Sequence, residues 1–267
     1  MRQHPFVVGS TVARRRTRAL SRLALFGGIA SALVLPLPGA AQGLGSGDGF
    51  LFRRPVGSFG IRAGFEQANA GSDIFSFMTD ELTLGRSDFA GVSFAGDLAF
   101  RIRPQLDLVL GGSYSGSSAR SEFRDFVDNN DLPIEQTTSL TRVPLTASAK
   151  LYLTSRGRSI GRFAWIPTKF APFVGAGGGA MWYRFRQQGD FIDMTTFDVF
   201  PDEFRSSGWT PTANGFAGLE VSLGPRFGLT GEGRYTWAKA PLSEDFSGFD
   251  RIDLSGYNAS LGFYVRF

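Results

Sequence analysis

The 267-residue chain carries 28 Lys and Arg against 24 Asp and Glu, is 14% aromatic, and has no Cys and a single His. Without Cys there is no disulfide framework, no thiol chemistry and no acceptor for a lipid anchor. The one His is His4, so imidazole chemistry is excluded from nearly the whole chain.

Residues 1–41 read as a secretory signal peptide. Arg2, Arg14, Arg15, Arg16, Arg18 and Arg22 form a basic region with no acid, and residues 23–37 carry no charge. Pro36 and Pro38 break a helix, and Gly39, Ala40 and Ala41 offer small residues for cleavage. The apolar run is short of the roughly 20 residues a transmembrane helix needs. Removing the leader takes six Arg from the total and leaves 22 basic against 24 acidic residues, a net charge of −2. The basic balance of the whole chain therefore belongs to the leader, and nucleic-acid binding is excluded on that ground.

Residues 42–55 are Gly-rich and read as a periplasmic lead-in. From there to Phe267 the pattern is apolar–polar alternation of period two, the signature of strands with one apolar face. Phe59, Ile61, Ala63 and Phe65 alternate with Gly60, Arg62, Gly64 and Glu66. Val92, Phe94, Leu98, Phe100 and Ile102 alternate with Ser93, Asp97, Ala99 and Arg101. Leu106, Leu108 and Leu110 follow a turn at Arg103–Pro104, and Val143, Leu145, Ala147, Ala149 and Leu151 alternate with Arg142, Thr146, Ser148, Lys150 and Tyr152. The segment 171–185 has small residues on both faces. In the next pair, Leu219 and Val221 share odd numbering with Leu229, Tyr235 and Trp237. Residues paired across a hairpin share a face, so the loop needs an odd number of residues, and Gly224-Pro225-Arg226 supplies three. The last segment alternates Ala259, Leu261, Phe263, Val265 and Phe267 with Asn258, Ser260, Gly262, Tyr264 and Arg266.

Eight strands are expected, near 56–66, 89–102, 105–117, 139–153, 171–185, 210–223, 227–238 and 255–267. Their connections are short at 103–105 and 224–226, longer and basic at 154–170, and long at 67–88, 118–138, 186–209 and 239–254. Long loops at one end and short turns at the other are the rhythm of an outer-membrane barrel. Charge divides the same way, with acids such as Asp73, Asp128, Asp202 and Glu244 in the long loops and Arg103, Arg156, Arg158, Arg162, Lys169 and Arg226 in the turns. Aromatic residues at strand ends, Phe59, Phe65, Tyr114, Trp237 and Phe267, fit girdles at the membrane edges, and Trp165 reads as an interfacial anchor. The expected fold is all-β, an eight-stranded antiparallel up-and-down transmembrane β-barrel spanning 56–267.

The final residues Ser260, Gly262, Val265 and Phe267 resemble the C-terminal signal read by the outer-membrane barrel-assembly machinery, with Val265 in place of an aromatic residue. Together with the stretches 143–153 and 172–177 they make the chain resemble the OmpA-like eight-stranded membrane domain family. That resemblance implies fold and an outer-membrane location, carries no catalytic residues, and departs from the full OmpA type in having no peptidoglycan-binding domain after Phe267.

If the apolar face meets lipid, Arg62, Glu66, Asp97, Arg101, Asp107, Arg142, Lys150, Glu220, Glu232, Arg234 and Arg266 line the interior. Buried charges of both signs have to pair, and an eight-stranded interior is filled by its own side chains, so a salt-bridged plug is expected in place of a pore. The small outer-membrane enzymes use a His base that is missing here, so no catalytic residue and no cofactor is expected. Asp125, Asp128, Asn129, Asn130 and Asp131 offer hard oxygen ligands for calcium, but without EF-hand spacing they read as a solvated loop and no metal site is assigned. The reading is a monomeric barrel with a structural or surface-interaction role, whose partners are the bilayer and lipopolysaccharide. The alternatives are an OmpW-like channel for small or hydrophobic solutes, or an adhesin-type barrel.

Overall fold

A computed structural model describes residues 49–128, 130–193, 196 and 198–267. The leader expected at 1–41 lies outside the described residues.

The strands are β1 (Leu51–Phe52), β2 (Gly57–Ala68), β3 (Ala90–Arg103), β4 (Leu106–Val127), β5 (Pro133–Tyr152), β6 (Gly157–Ile160), β7 (Ala164–Pro167), β8 (Phe170–Ile192), β9 (Val199–Ser222), β10 (Phe227–Ala240), β11 (Ile252–Asp253) and β12 (Gly256–Arg266). One helix, α1 (Asp73–Glu81), lies between β2 and β3. Strands β2, β3, β4, β5, β8, β9, β10 and β12 pair antiparallel in that order, and β12 pairs back onto β2, so the sheet closes with eight strands. Closure leaves no edge strand along the wall. The β9–β10 hairpin pairs Val221 with Leu229 across residues 224–226, the register that odd-with-odd alternation demands.

Outward positions of the ring are apolar and exposed, among them Phe59, Ile61, Phe65, Phe94, Phe100, Leu110, Leu145, Leu219, Leu261 and Phe263. On β9 this outward face runs from Trp209 to Val221. Twelve residue steps at ~3.3 Å and a ~40° tilt rise about 30 Å, close to the apolar band of a membrane barrel. Tyr114, Trp209, Trp237 and Tyr257 close the band at one end, and Phe59, Phe170, Phe227 and Phe267 at the other, all exposed.

Two of the expected long loops are largely strand. β4 and β5 continue to Val127 and from Pro133, and β8 and β9 continue to Ile192 and from Val199. Beyond the band the outward face becomes polar, with Thr141, Arg184, Arg186, Arg205 and Glu203, while the inward face keeps Ile134, Leu140, Phe185 and Phe191 buried. An ordinary half-buried strand has that pattern, but its acids mimic a loop. The other two long connections are not solvated loops either. Residues 67–88 and 239–254 fold over the mouth, and Ile74, Phe75, Met78, Leu82, Leu84, Phe246, Ile252 and Leu254 form one core with Leu140, Met181, Tyr183 and Phe185 of the wall.

Several acids of these segments accept from backbone N–H groups. Asp73 accepts from the N–H of Ile74 (2.9 Å) and of Asp250 (2.8 Å), tying the two halves of the lid together. Asp245 accepts from the N–H of Arg205 at 2.9 Å. At the β4–β5 tip, Asp128 Oδ1 accepts from the N–H of Leu132 and of Asn130, both at 2.8 Å. Those two N–H groups, Leu132 first, hold its carboxyl below the usual carboxylate range. A depressed carboxyl stabilises the folded tip above its ordinary pKa, and that stabilisation is lost as pH falls through the lowered value. The amide protection factor of Leu132 should therefore be constant near neutrality and drop only below about pH 3.8. A drop already between pH 7 and 5, or the same drop below pH 3.8 persisting in Asp128→Ala, would count against this role.

At the other end, Leu51 and Phe52, expected in a lead-in, pair with Trp165 and Ala164, and β1, β7 and β6 form a small sheet. Trp165 is therefore not an exposed interfacial anchor. It is buried at 3% exposure, with the guanidinium groups of Arg101 and Arg266 at 5.8 and 5.7 Å from its ring. The β6–β7 hairpin folds back under the barrel, which turns the indole inward.

Candidate functional site

The inward side chains fall into layers, because alternation sends every second residue of each strand to the interior. At the turn end, Asp107 of β4 binds Arg156 through two bonds of 2.6 and 2.8 Å. Arg156 comes from the connection before β6, so a residue read as part of a basic turn supplies a buried counter-charge. Arg266 reaches Ser222 Oγ at 2.8 Å and Glu220 at 4.0 Å.

Above it, Glu220 of β9 accepts from Lys150 Nζ of β5 at 2.5 Å and from the Tyr152 hydroxyl at 2.8 Å. The Lys150 ammonium also sits 3.8 Å from the centre of the Phe173 ring. Phe173 comes from the Gly-rich strand β8. Its Gly175, Gly177 and Gly179 also face inward, and a Cβ on Gly175 would meet the Phe216 ring at 2.2 Å. The small residues that weaken the strand signal thus make room for the aromatic ones.

The middle layer joins four strands. Arg62 of β2 meets Asp97 of β3 at 2.5 Å and Glu232 of β10 at 3.6 Å. Glu232 also holds Arg234 at 2.9 Å, and Arg234 donates to Asn214 of β9 at 3.1 Å. A cavity of about 40 Å³ lies among these residues. It exceeds the roughly 10–15 Å³ that one water needs. Higher still, Glu66 of β2 pairs with Arg142 of β5 at 3.1 Å, and Arg142 donates to the Leu254 carbonyl of the lid at 3.2 Å. The apolar lid core caps this stack.

Polar groups are thus inside and apolar groups outside. The chain is a β-barrel turned inside out. In this inverted barrel the sequence-selected residues Arg62, Glu66, Asp97, Lys150, Glu220, Glu232, Arg234 and Arg266 are brought into contact with opposite charges. Arg101 is not: among the described residues it has no ion pair, and its buried Nε has no hydrogen-bond partner. Sequence reasoning missed Arg156, Tyr152 and Tyr264, whose hydroxyl accepts from Arg266. The two tyrosines could have been found, since both fall on the polar side of their strand's alternation, where an aromatic residue needs an interior partner.

The C-terminal residues sit on both sides of the wall. Ser260 and Gly262 face inward, and Val265 and Phe267 face outward. A Cβ on Gly262 would lie 2.7 Å from Arg62 Cγ and 2.0 Å from the Ile61 carbonyl oxygen, so only Gly lets the β2 arginine cross there. Among the described residues no group of three or more His, Cys, Asp and Glu is placed to hold a metal ion.

No family model matches the chain, and no curated relative matches it in sequence. Solved structures similar to it include Neisserial surface protein A, at 13% identity and a TM-score of 0.43, covering 79% of this chain and 96% of that one. The attachment invasion locus protein of Yersinia pestis is similar at 14% identity and a TM-score of 0.39, covering 80% and 100%. The N-terminal β-barrel domain of Pseudomonas aeruginosa OprF is similar at 16% identity and a TM-score of 0.34, covering 80% and 100%.

Proposed function

We propose that this chain is a monomeric, non-enzymatic, integral outer-membrane β-barrel with a structural or surface-interaction role, exported behind a cleaved leader and inserted by the barrel-assembly machinery. The observation that carries the reading is the inversion itself. A closed wall exposes a belt of Phe, Leu, Ile, Trp and Tyr, while Arg, Lys, Asp and Glu pair inside. In water such a belt would be an aggregation hazard, and in a bilayer it is the stable arrangement.

The same interior supports a plug over a channel. Ion pairs cross it at several heights, and the apolar lid closes the mouth above them. The surface role is supported by the β4–β5 and β8–β9 hairpins, which extend about ten residues past the aromatic belt. Lipopolysaccharide as a neighbour is supported by Arg184, 5.0 Å from the Trp182 ring, with Arg186 and Arg205 just above the belt. Purified protein reconstituted in a planar bilayer should give no steady unitary current. Reproducible single-channel steps from folded protein would sink the plug and favour a solute channel.

A further inference from the structure

The turn end holds a basic cleft in which Arg54, Arg101 and Arg103 take no part in the ion pairs of the plug among the described residues. A cleft of about 430 Å³ opens between the β3–β4 turn and the β6–β7 hairpin, lined by Arg54, Arg101, Arg103, Arg156, Ile102 and Trp165. That volume is in the range of sites that take small molecules or headgroups. Arg156 is neutralised by Asp107. Arg54 donates only to Ser159 Oγ, at 2.9 Å, and Arg101 and Arg103 have no ion pair among the described residues. A guanidinium with a buried, unpaired nitrogen is costly unless an acceptor arrives. A register shift between Arg101 and Arg103 bends β3 at this rim, the kind of irregularity that re-aims side chains at barrel mouths.

We propose that this cleft binds a phosphate group, held by Arg54, Arg101 and Arg103 and carried by an anionic phospholipid of the adjoining leaflet. Guanidinium forks recognise phosphate and carboxylate through paired N–H donors. Phosphate fits better here, because its oxygens point in several directions and the three guanidinium groups line the cleft from two sides, Arg101 and Arg103 on β3 and Arg54 on the segment after β1. A lipid source follows from Ile102. It faces outward between the two arginines at 60% exposure, so the cleft opens onto the apolar wall. The phosphate chemistry stands on the cleft alone, and only the lipid source rests on the membrane reading above.

The full chain in detergent, checked as folded by heat-modifiable gel mobility, should bind inorganic phosphate saturably at low ionic strength in a calorimetric titration. Arg101→Gln should weaken binding about tenfold, as the ~1.4 kcal/mol of one lost charged hydrogen bond implies. Arg103→Gln, outside the packed interior, should do the same without affecting folding, and Arg226→Gln at the other turn should change nothing. Absent binding, or equal weakening by Arg103→Gln and Arg226→Gln, overturns the proposal. In phosphatidylcholine discs containing a minority of phosphatidylglycerol, the anionic lipid retained with the protein should be enriched several-fold, and Arg103→Gln should remove the enrichment. Phosphate binding in detergent without that enrichment overturns the lipid source and assigns a soluble phosphate. A folded chain that fails to enter discs speaks against the membrane reading instead.

Discussion

Replacing Glu220 by Ala should lower the unfolding free energy of the barrel by about 3–5 kcal/mol. Glu220 accepts from Lys150 at 2.5 Å and Tyr152 at 2.8 Å, and both charged side chains of the pair are less than a tenth exposed. Removing it leaves the Lys150 ammonium buried against the Phe173 ring with no counter-ion. The cost is that of an uncompensated charge more than of one lost bond. Glu122→Ala is the comparison, because that residue is an exposed acid on the projecting part of β4. Its loss should change stability by less than about 0.5 kcal/mol. Denaturant titration in detergent, read by gel mobility of the folded form, separates the two. Equal midpoints would mean that water enters the interior freely and the pair is not insulated.

Phe75→Ala should cost about 3–5 kcal/mol in docking of the lid while leaving the wall closed. Phe75 of α1 is fully buried, edge-on to Phe89 at 4.8 Å and to Phe185 of β8 at 5.9 Å. Phe185 in turn touches Phe246 at 5.3 Å, so both covering segments converge on one aromatic cluster. Truncation opens a cavity where these elements meet. Hydrogen exchange and proteolysis should then rise across 67–88 and 239–254 but not along the strands of the ring. Conductance should remain absent, because the ion-pair layers lie below the lid. An unchanged exchange pattern would show that the lid is held from elsewhere. Currents in this variant alone would make the lid the gate.

Alternation is a local signal, and local signals were legible. Seven of the eight ring strands fall where the period-two pattern puts them, the Gly-rich β8 falls where its place in the series puts it, and even the three-residue β9–β10 loop follows from matching parity. The extra length of β4, β5, β8 and β9 was not legible. Beyond the belt their outward residues are charged and their acids resemble those of a loop, as at Glu122, Asp190 and Asp202. The α1 segment was missed for a similar reason. Asp73, Asp80 and Glu81 advertise solvent, while Ile74, Phe75 and Met78 make a single buried stripe too short to stand out.

By itself the sequence determined the wall: which residues alternate, which set is apolar, and therefore which charges share the face opposite the apolar one. That follows because strand geometry fixes the direction of every side chain from its parity. Which charges meet was decided only by the closed sheet. Arg62 finds Asp97 and Glu232, Lys150 finds Glu220 and Asp107 finds Arg156 across separations of 35 to 170 residues. Those pairings depend on strand stagger and on where a hairpin folds back, and neither is written in any one segment. The same tertiary step buried Trp165 and left Arg101 without a counter-charge, so the basic cleft is a property of the assembled barrel and not of any motif.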